Sequence, residues 1–255
     1  DLAVFIESDN ILPDRDWLAR MVEPFQMHGV FCTSSSHNSY EQEMDALTRY
    51  FALIGAPDPT LYYLKKSDKI PITQKQYDIG TVLKETRRYW VVRFREGDLP
   101  TMGDNGTMIR TDVLRKVVGK GRSYIHVDAF AELLDRGYDT YGIVKSSIIH
   151  MSRPNILAQV HRRVAVKRAF TDEKKGKRKY LVMDWNSPRD RWNLFKYIIF
   201  SLTFIQPLIF SFRGYLKLPD TAWFLHPVMC LLMVVSYGWS EIRFQLKRFF
   251  NRLRL

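Results

Sequence analysis

Cysteine is nearly absent: Cys32 and Cys230 are the only two in 255 residues. They stand far apart in unlike surroundings, so neither a disulfide framework nor a thiolate metal site is indicated, and a reducing compartment is the default. Acidic residues are also outnumbered, 27 Asp+Glu against 39 Lys+Arg, for a formal net charge of +12. That excess selects for anionic partners: nucleic acid, a charged membrane surface or phosphorylated small molecules. There is no zinc-finger spacing and no helix-turn-helix signature, which argues against nucleic acid. The chain starts at Asp1 and residues 2 to 6 already read as strand, so it is expected to begin inside a domain, with an N-terminal part missing.

The run LAVFI (residues 2 to 6) has the pattern of a strand buried on both faces of a parallel sheet. After a Pro-containing turn, Trp17, Leu18, Met21, Val22 and Phe25 recur at helical spacing, and GVFCTSSS then reads as a strand ending in a Ser-rich loop. Strand, helix, strand favours an α/β class. Met44, Leu47, Tyr50, Phe51 and Ile54 mark another helix, ended by APDP. Residues 60 to 100 scatter aromatics among charges with no clear period. TDVLRKVVG reads as a short capped helix, VDAFAELLDRGY as a helix stopped by Gly137, and TYGIVKSSIIH as a strand.

Beyond residue 153 the character changes. Residues 161 to 179 are mostly basic, ending in KKGKRK, and two apolar stretches follow, roughly Leu194 to Phe212 and Thr221 to Trp239. Each approaches the ~20 residues needed to cross a hydrocarbon core of ~30 Å. Gln206-Pro207 interrupts the first and His226-Pro227 the second, while Trp192, Trp223, Tyr237 and Trp239 gather near the ends as interfacial residues do. Buried core helices, or helices lying in the membrane surface, are the alternatives to a spanning or re-entrant hairpin. If the pair spans, basic flanks on both sides place both ends in the cytoplasm. The expected organisation is a domain over residues 1–170, a basic juxtamembrane linker over 171–193, two membrane helices over 194–240 and a basic cytoplasmic tail over 241–255.

Four constellations carry possible chemistry. In ESDN, Glu7 and Asp9 sit one residue apart at a strand end, where open α/β sheets bind ligands. Mg²⁺ or Mn²⁺ takes such carboxylates while bridging substrate phosphates, although acidic residues are also ordinary at turns. In GDNG, Gly103 and Gly106 bracket Asp104 and Asn105, which suits either backbone approach to a ligand or a plain hairpin turn. Asp128 opens a helix, placed either to cap it or to act as a general base. His150 ends a strand, and the following QVHRR contributes Gln159, Arg162 and Arg163, which form either a solvated face or a fork for diphosphate oxygens.

Taken in order, FIESDNILPDRDWLARMVEPF, GDNGTMIR, HVDAFAELLDRGY, QVHRR and the apolar C-terminal pair resemble the family 2 inverting glycosyltransferases of GT-A fold, membrane-attached, over roughly residues 1 to 170. The resemblance implies that Glu7 and Asp9 hold a divalent cation and the diphosphate of a nucleotide sugar, with His150 as a further ligand. It implies Asp128 as the base acting on an acceptor hydroxyl of a lipid-linked sugar or surface glycan. Gly103, Asp104, Asn105 and Gly106 would line the donor and acceptor region, with Gln159, Arg162 and Arg163 beside them. Glu7 stands where the family usually has Asp, and Val127 where it has Glu. Processive members carry Q-x-x-R-W; here Arg163 replaces the Trp, and the later RDRW has no Gln; the missing Trp and the short membrane portion both argue against a processive synthase. A catalytically degenerate, transferase-like membrane scaffold is the alternative.

Overall fold

The structure, a computed structural model, describes residues 1–118, 124–152, 155–172 and 177–253. Residues 174–176 of KKGKRK in the expected linker, and residues 254–255 of the expected tail, lie outside the described residues. In chain order the elements are β1 (Leu2–Phe5), β2 (Asn10–Ile11), α1 (Trp17–Val22), β3 (Cys32–Asn38), α2 (Ala46–Ile54), α3 (Pro59–Tyr63), β4 (Thr81–Glu85), β5 (Tyr89–Arg93), β6 (Thr107–Arg110), α4 (Thr111–Leu114), α5 (His126–Asp135), β7 (Thr140–His150), α6 (Ile156–Lys167), α7 (Pro188–Thr203), α8 (Ile205–Lys217) and α9 (Leu225–Leu253).

The class is α/β. A mixed seven-stranded sheet runs β1-β6-β3-β7-β5-β4, with β2 paired to the end of β7. Among the strands of the described residues, only β3 and β7 pair in parallel. Alternation along the strands supplies two cores. Trp90, Ile109, Tyr141 and Ile143 face α5 and its Phe130, while Val91, Met108, Val144 and Ile148 face α1 through Trp17 and Met21.

Three sequence readings need correction. LAVFI is not a strand buried on both faces of a parallel sheet: β1 is antiparallel to β6 at the sheet edge, with Val4 37% and Ile6 45% exposed. It is parallel to β3, but β6 lies between them. The serines of GVFCTSSS are not loop residues but the middle of β3, the most enclosed strand, where Thr33 to Ser36 are fully buried. A buried hydroxyl needs a partner, and Thr33 finds one by donating to the Met21 carbonyl at 2.9 Å. The first apolar stretch is not one helix: α7 and α8 meet at 83°, at Phe204 with φ +61°. Pro207 falls in the first turn of α8, where its missing N–H leaves no bond unmade.

Among the described residues one helix, Thr221–Phe250, is long and apolar enough to cross a membrane. It also packs on the α/β layer: α2 places Tyr50, Phe51 and Ile54 against Trp223, Met229 and Met233. Charged residues fasten the same interface. Arg49 Nε lies 2.7 Å from Asp220, Lys66 Nζ lies 3.8 Å from Asp190, and Asp58 takes both Arg163, at 3.3 Å, and the Tyr237 hydroxyl.

Candidate functional site

The turn after β1 is closed locally. Asn10 N–H donates to the Glu7 carbonyl at 3.0 Å, and Glu7 N–H donates to Asn10 Oδ1 at 3.1 Å. Asn10 then pairs with His150 as β2 joins β7, and Met151 N–H donates to the Asp9 carbonyl at 2.9 Å. This short ladder brings the first and last sheet residues together across the chain.

The result is a cluster of Glu7, Asp9 and His150, whose ligand atoms lie within 4.8 Å of one another. His150 is 7% exposed and its Nε2 lies 3.8 Å from Asp9 Oδ2. From α6, Arg162 Nη1 reaches Asp9 Oδ2 at 3.1 Å and Nη2 comes within 3.8 Å of Glu7. Asp9 is held down at about 2 by the His150 imidazole, with Arg162 adding to the effect. Glu7 moves the other way: burial raises it, and repulsion from Asp104 and Asp9 raises it further.

The GDNG loop packs beside this cluster. Gly106 N–H donates to the Phe5 carbonyl at 3.2 Å, and its carbonyl accepts from Ser35 N–H at 3.3 Å, which stitches β1 to β3. Both glycines are required: at φ +107° and +69° a side chain is strained, and a Cβ would meet Phe130 at 2.6 Å from Gly103 or Ile148 at 2.9 Å from Gly106. Asn105 Oδ1 accepts from Asn10 Nδ2 at 2.9 Å. Beneath the loop, Lys69, 3% exposed, donates to the Asn105 carbonyl and to Ser34 Oγ, each at 3.0 Å, and pairs with Asp68 at 2.8 Å. Asp104 Oδ2 lies 3.4 Å from His126 Nε2.

Not every expected residue joins. Gln159 is buried and donates to the Pro57 carbonyl at 3.2 Å, while Arg163 holds Asp58. Successive helical residues point about 100° apart, so the two arginines of QVHRR serve different neighbours. Asp128 is occupied elsewhere: it accepts from Arg178 Nε at 2.6 Å and from Tyr180 N–H at 2.9 Å. Asn10, Lys69 and His126 belong to the arrangement without any spacing signal. Asn10 lies inside ESDN itself, and His126 two residues before Asp128.

The donor set suits a hard or borderline divalent cation, Mg²⁺ or Mn²⁺: two carboxylates, one imidazole, and a buried Asp9 Oδ1 with no hydrogen-bond partner. An orphaned buried carboxylate oxygen is costly unless a cation or donor meets it. No family model matches this chain, and neither does any curated protein.

Proposed function

We propose that the chain is a membrane-associated inverting glycosyltransferase of GT-A type, using a nucleoside diphosphate sugar as donor and a hydroxyl of a lipid-linked sugar or surface glycan as acceptor. The observation that carries this reading is the convergence of Glu7, Asp9, His150 and Arg162 at the strand ends, with Asp9 Oδ1 unpartnered. Carboxylates facing a guanidinium are suited to a diphosphate, whose oxygens accept from the Arg162 fork.

Glu7, Asp9 and His150 would hold the cation, which when bound supplies positive charge against the diphosphate. Arg162 offsets the charge that grows on the leaving diphosphate as the anomeric carbon–oxygen bond breaks. The Gly103–Gly106 loop orients the sugar with backbone groups. Asp128 takes the proton from the acceptor oxygen as that oxygen attacks the opposite face of the anomeric carbon, which inverts it. For that step the Arg178–Tyr180 segment must release the Asp128 carboxylate. The apolar helices and their basic flanks support placement of the domain on the cytoplasmic face, with the bent α7–α8 pair re-entrant or spanning.

The occupied Asp128 also supports a second reading, a transferase-like scaffold without turnover. Cation-dependent hydrolysis of a panel of nucleotide sugars by the full chain in detergent or vesicles separates the two. Turnover is expected to fall roughly a hundredfold or more in Asp9→Asn, the scale of losing one electrostatic stabiliser. No turnover with any donor, together with unchanged cellular glycan in Asp128→Asn, ends the enzyme reading.

A further inference from the structure

A cavity of about 450 Å³ opens between α8 and the segment that follows Pro71, away from the acidic cluster. Its floor is aromatic. Tyr62 and Phe210 rings lie 5.2 Å apart, and Phe210 meets Trp223 edge to face at 5.6 Å. Trp223 is fixed there because its Nε1 donates to the Leu218 carbonyl at 3.0 Å and because Gly214 leaves room for it; a Cβ at Gly214 would lie 2.5 Å from the indole.

The remaining lining is Pro71, Thr73, Gln74, Gln76 and three cations. Lys75, Arg213 and Lys217 surround the opening, and no carboxylate lines it. Of the acids near in sequence, Asp220 is engaged with Arg49 and Tyr40, and Asp78 does not line the cavity but accepts from its wall residue Gln74 at 2.8 Å and lies 3.9 Å from Lys65. Three positive side chains around one opening repel one another unless an anion joins them.

A second feature says where the anion comes from. Ile205, Leu208, Ile209, Phe212 and Leu216 of α8 are 64%, 40%, 45%, 56% and 82% exposed. At 3.6 residues per turn they fall within an arc of about 100°. Arg213 and Lys217 follow at the border between that apolar face and the buried one. A helix of this kind lies in a bilayer interface with its apolar face in the acyl boundary and its cations at the headgroup phosphates.

We propose that this cavity is a binding site for the phosphate of an anionic phospholipid headgroup, held by Lys75, Arg213 and Lys217 over the Tyr62–Phe210–Trp223 floor while α8 lies in the membrane interface. The site is separate from the sugar-transfer chemistry and stands without it.

The test uses the full chain and three variants: Lys75→Gln/Arg213→Gln/Lys217→Gln, the charge-matched surface control Lys84→Gln/Arg87→Gln/Arg115→Gln, and Lys75→Glu alone. Binding to phosphatidylcholine vesicles with and without phosphatidylglycerol is measured by flotation, and lipid retained in detergent is counted by native mass spectrometry. Preference for phosphatidylglycerol is expected to fall roughly a hundredfold in the cavity variant, the scale of three basic residues at an anionic surface. It should fall severalfold at most in the control, and Lys75→Glu should lose the retained lipid. Equal losses in the cavity and control variants mean diffuse attraction and overturn the site. Inorganic phosphate or a nucleotide that displaces the retained lipid equally well at low millimolar concentration assigns the cavity to a soluble phosphate and overturns the lipid source.

Discussion

Glu7 and Asp9, with one residue between them, respond oppositely to folding, Glu7 raised and Asp9 held at about 2. A carboxyl whose pKa rises on folding stabilises the fold while protonated, and that contribution is lost as pH rises through the raised value. At neutral pH, ionised Glu7 therefore works against folding, and Glu7→Gln is expected to raise the melting temperature of the cation-free protein. Asp9 contributes above the ordinary aspartate range and loses that contribution as pH falls toward about 2, so Asp9→Asn is expected to lower the melting temperature at neutral pH. Adding Mn²⁺ at about 100 times its dissociation constant stabilises a protein by about 2.7 kcal/mol. That upward shift in a thermal melt should be present in the native chain and absent in Asp9→Asn; a shift of equal size in both removes Asp9 from the cation site. Of this cluster, Glu7, Asp9, His150 and Arg162 are legible as chemistry-bearing residue types at strand ends or in a basic motif. Lys69 is not, because a lone lysine in SDKI reads as surface until the GDNG carbonyl closes over it.

Among the elements, legibility follows burial contrast. α2 shows its period because one face meets the core, and it carries both its Asp45 cap, accepting from Leu47 and Thr48 N–H at 3.0 Å, and its Gly55 stop at φ +67°. β4 shows nothing, since all five residues of TVLKE are exposed and its order comes from pairing with β5. β3 is misread for the opposite reason: its serines look polar but are small enough for the tight centre of the sheet, where Ser34 Oγ accepts from Lys69 and Ser36 Oγ meets His37 Nδ1, while the buried Ser35 Oγ has no partner among the described residues. The left-handed Phe204 carries no residue signature, although the nearby Pro207 marks the region. The GDNG loop gives the sharpest test at this level. Gly106→Ala forces a left-handed backbone, at ~1 kcal/mol or more, and drives a methyl against Ile148 and Ser35. A loss of about 1–3 kcal/mol in chemical denaturation is expected, with weakened cation binding because Asn105 loses its hold on Asn10.

For the molecule as a whole, the joint between the sheet and the helices is the decisive feature. Asp58, with its side chain 2% exposed, is met by Arg163 from α6 and by Tyr237 from α9. Removing one partner of such a pair leaves a buried charge and costs about 3–5 kcal/mol, so Arg163→Met should lower the unfolding midpoint by that equivalent. Sheet and helices should melt in one transition. Two separated transitions, followed by tryptophan fluorescence and far-UV circular dichroism, contradict a shared core.

With the proposed placement at a bilayer, this joint also limits how the protein works there. Arg49 and Lys66 each close on an acid across the interface, the Tyr237 hydroxyl of α9 donates to Asp58, and the Tyr50 hydroxyl meets His226 Nδ1 at 2.9 Å. The C-terminal helices are therefore not a tether on which the sheet can swing. Whatever depth α8 takes in the lipid is inherited by Asp9 and Arg162, so the acidic cluster stands at a set height and tilt above the membrane. On the proposed transferase reading, acceptors are then sorted by how far their reactive hydroxyl projects from the lipid surface, as well as by their chemistry.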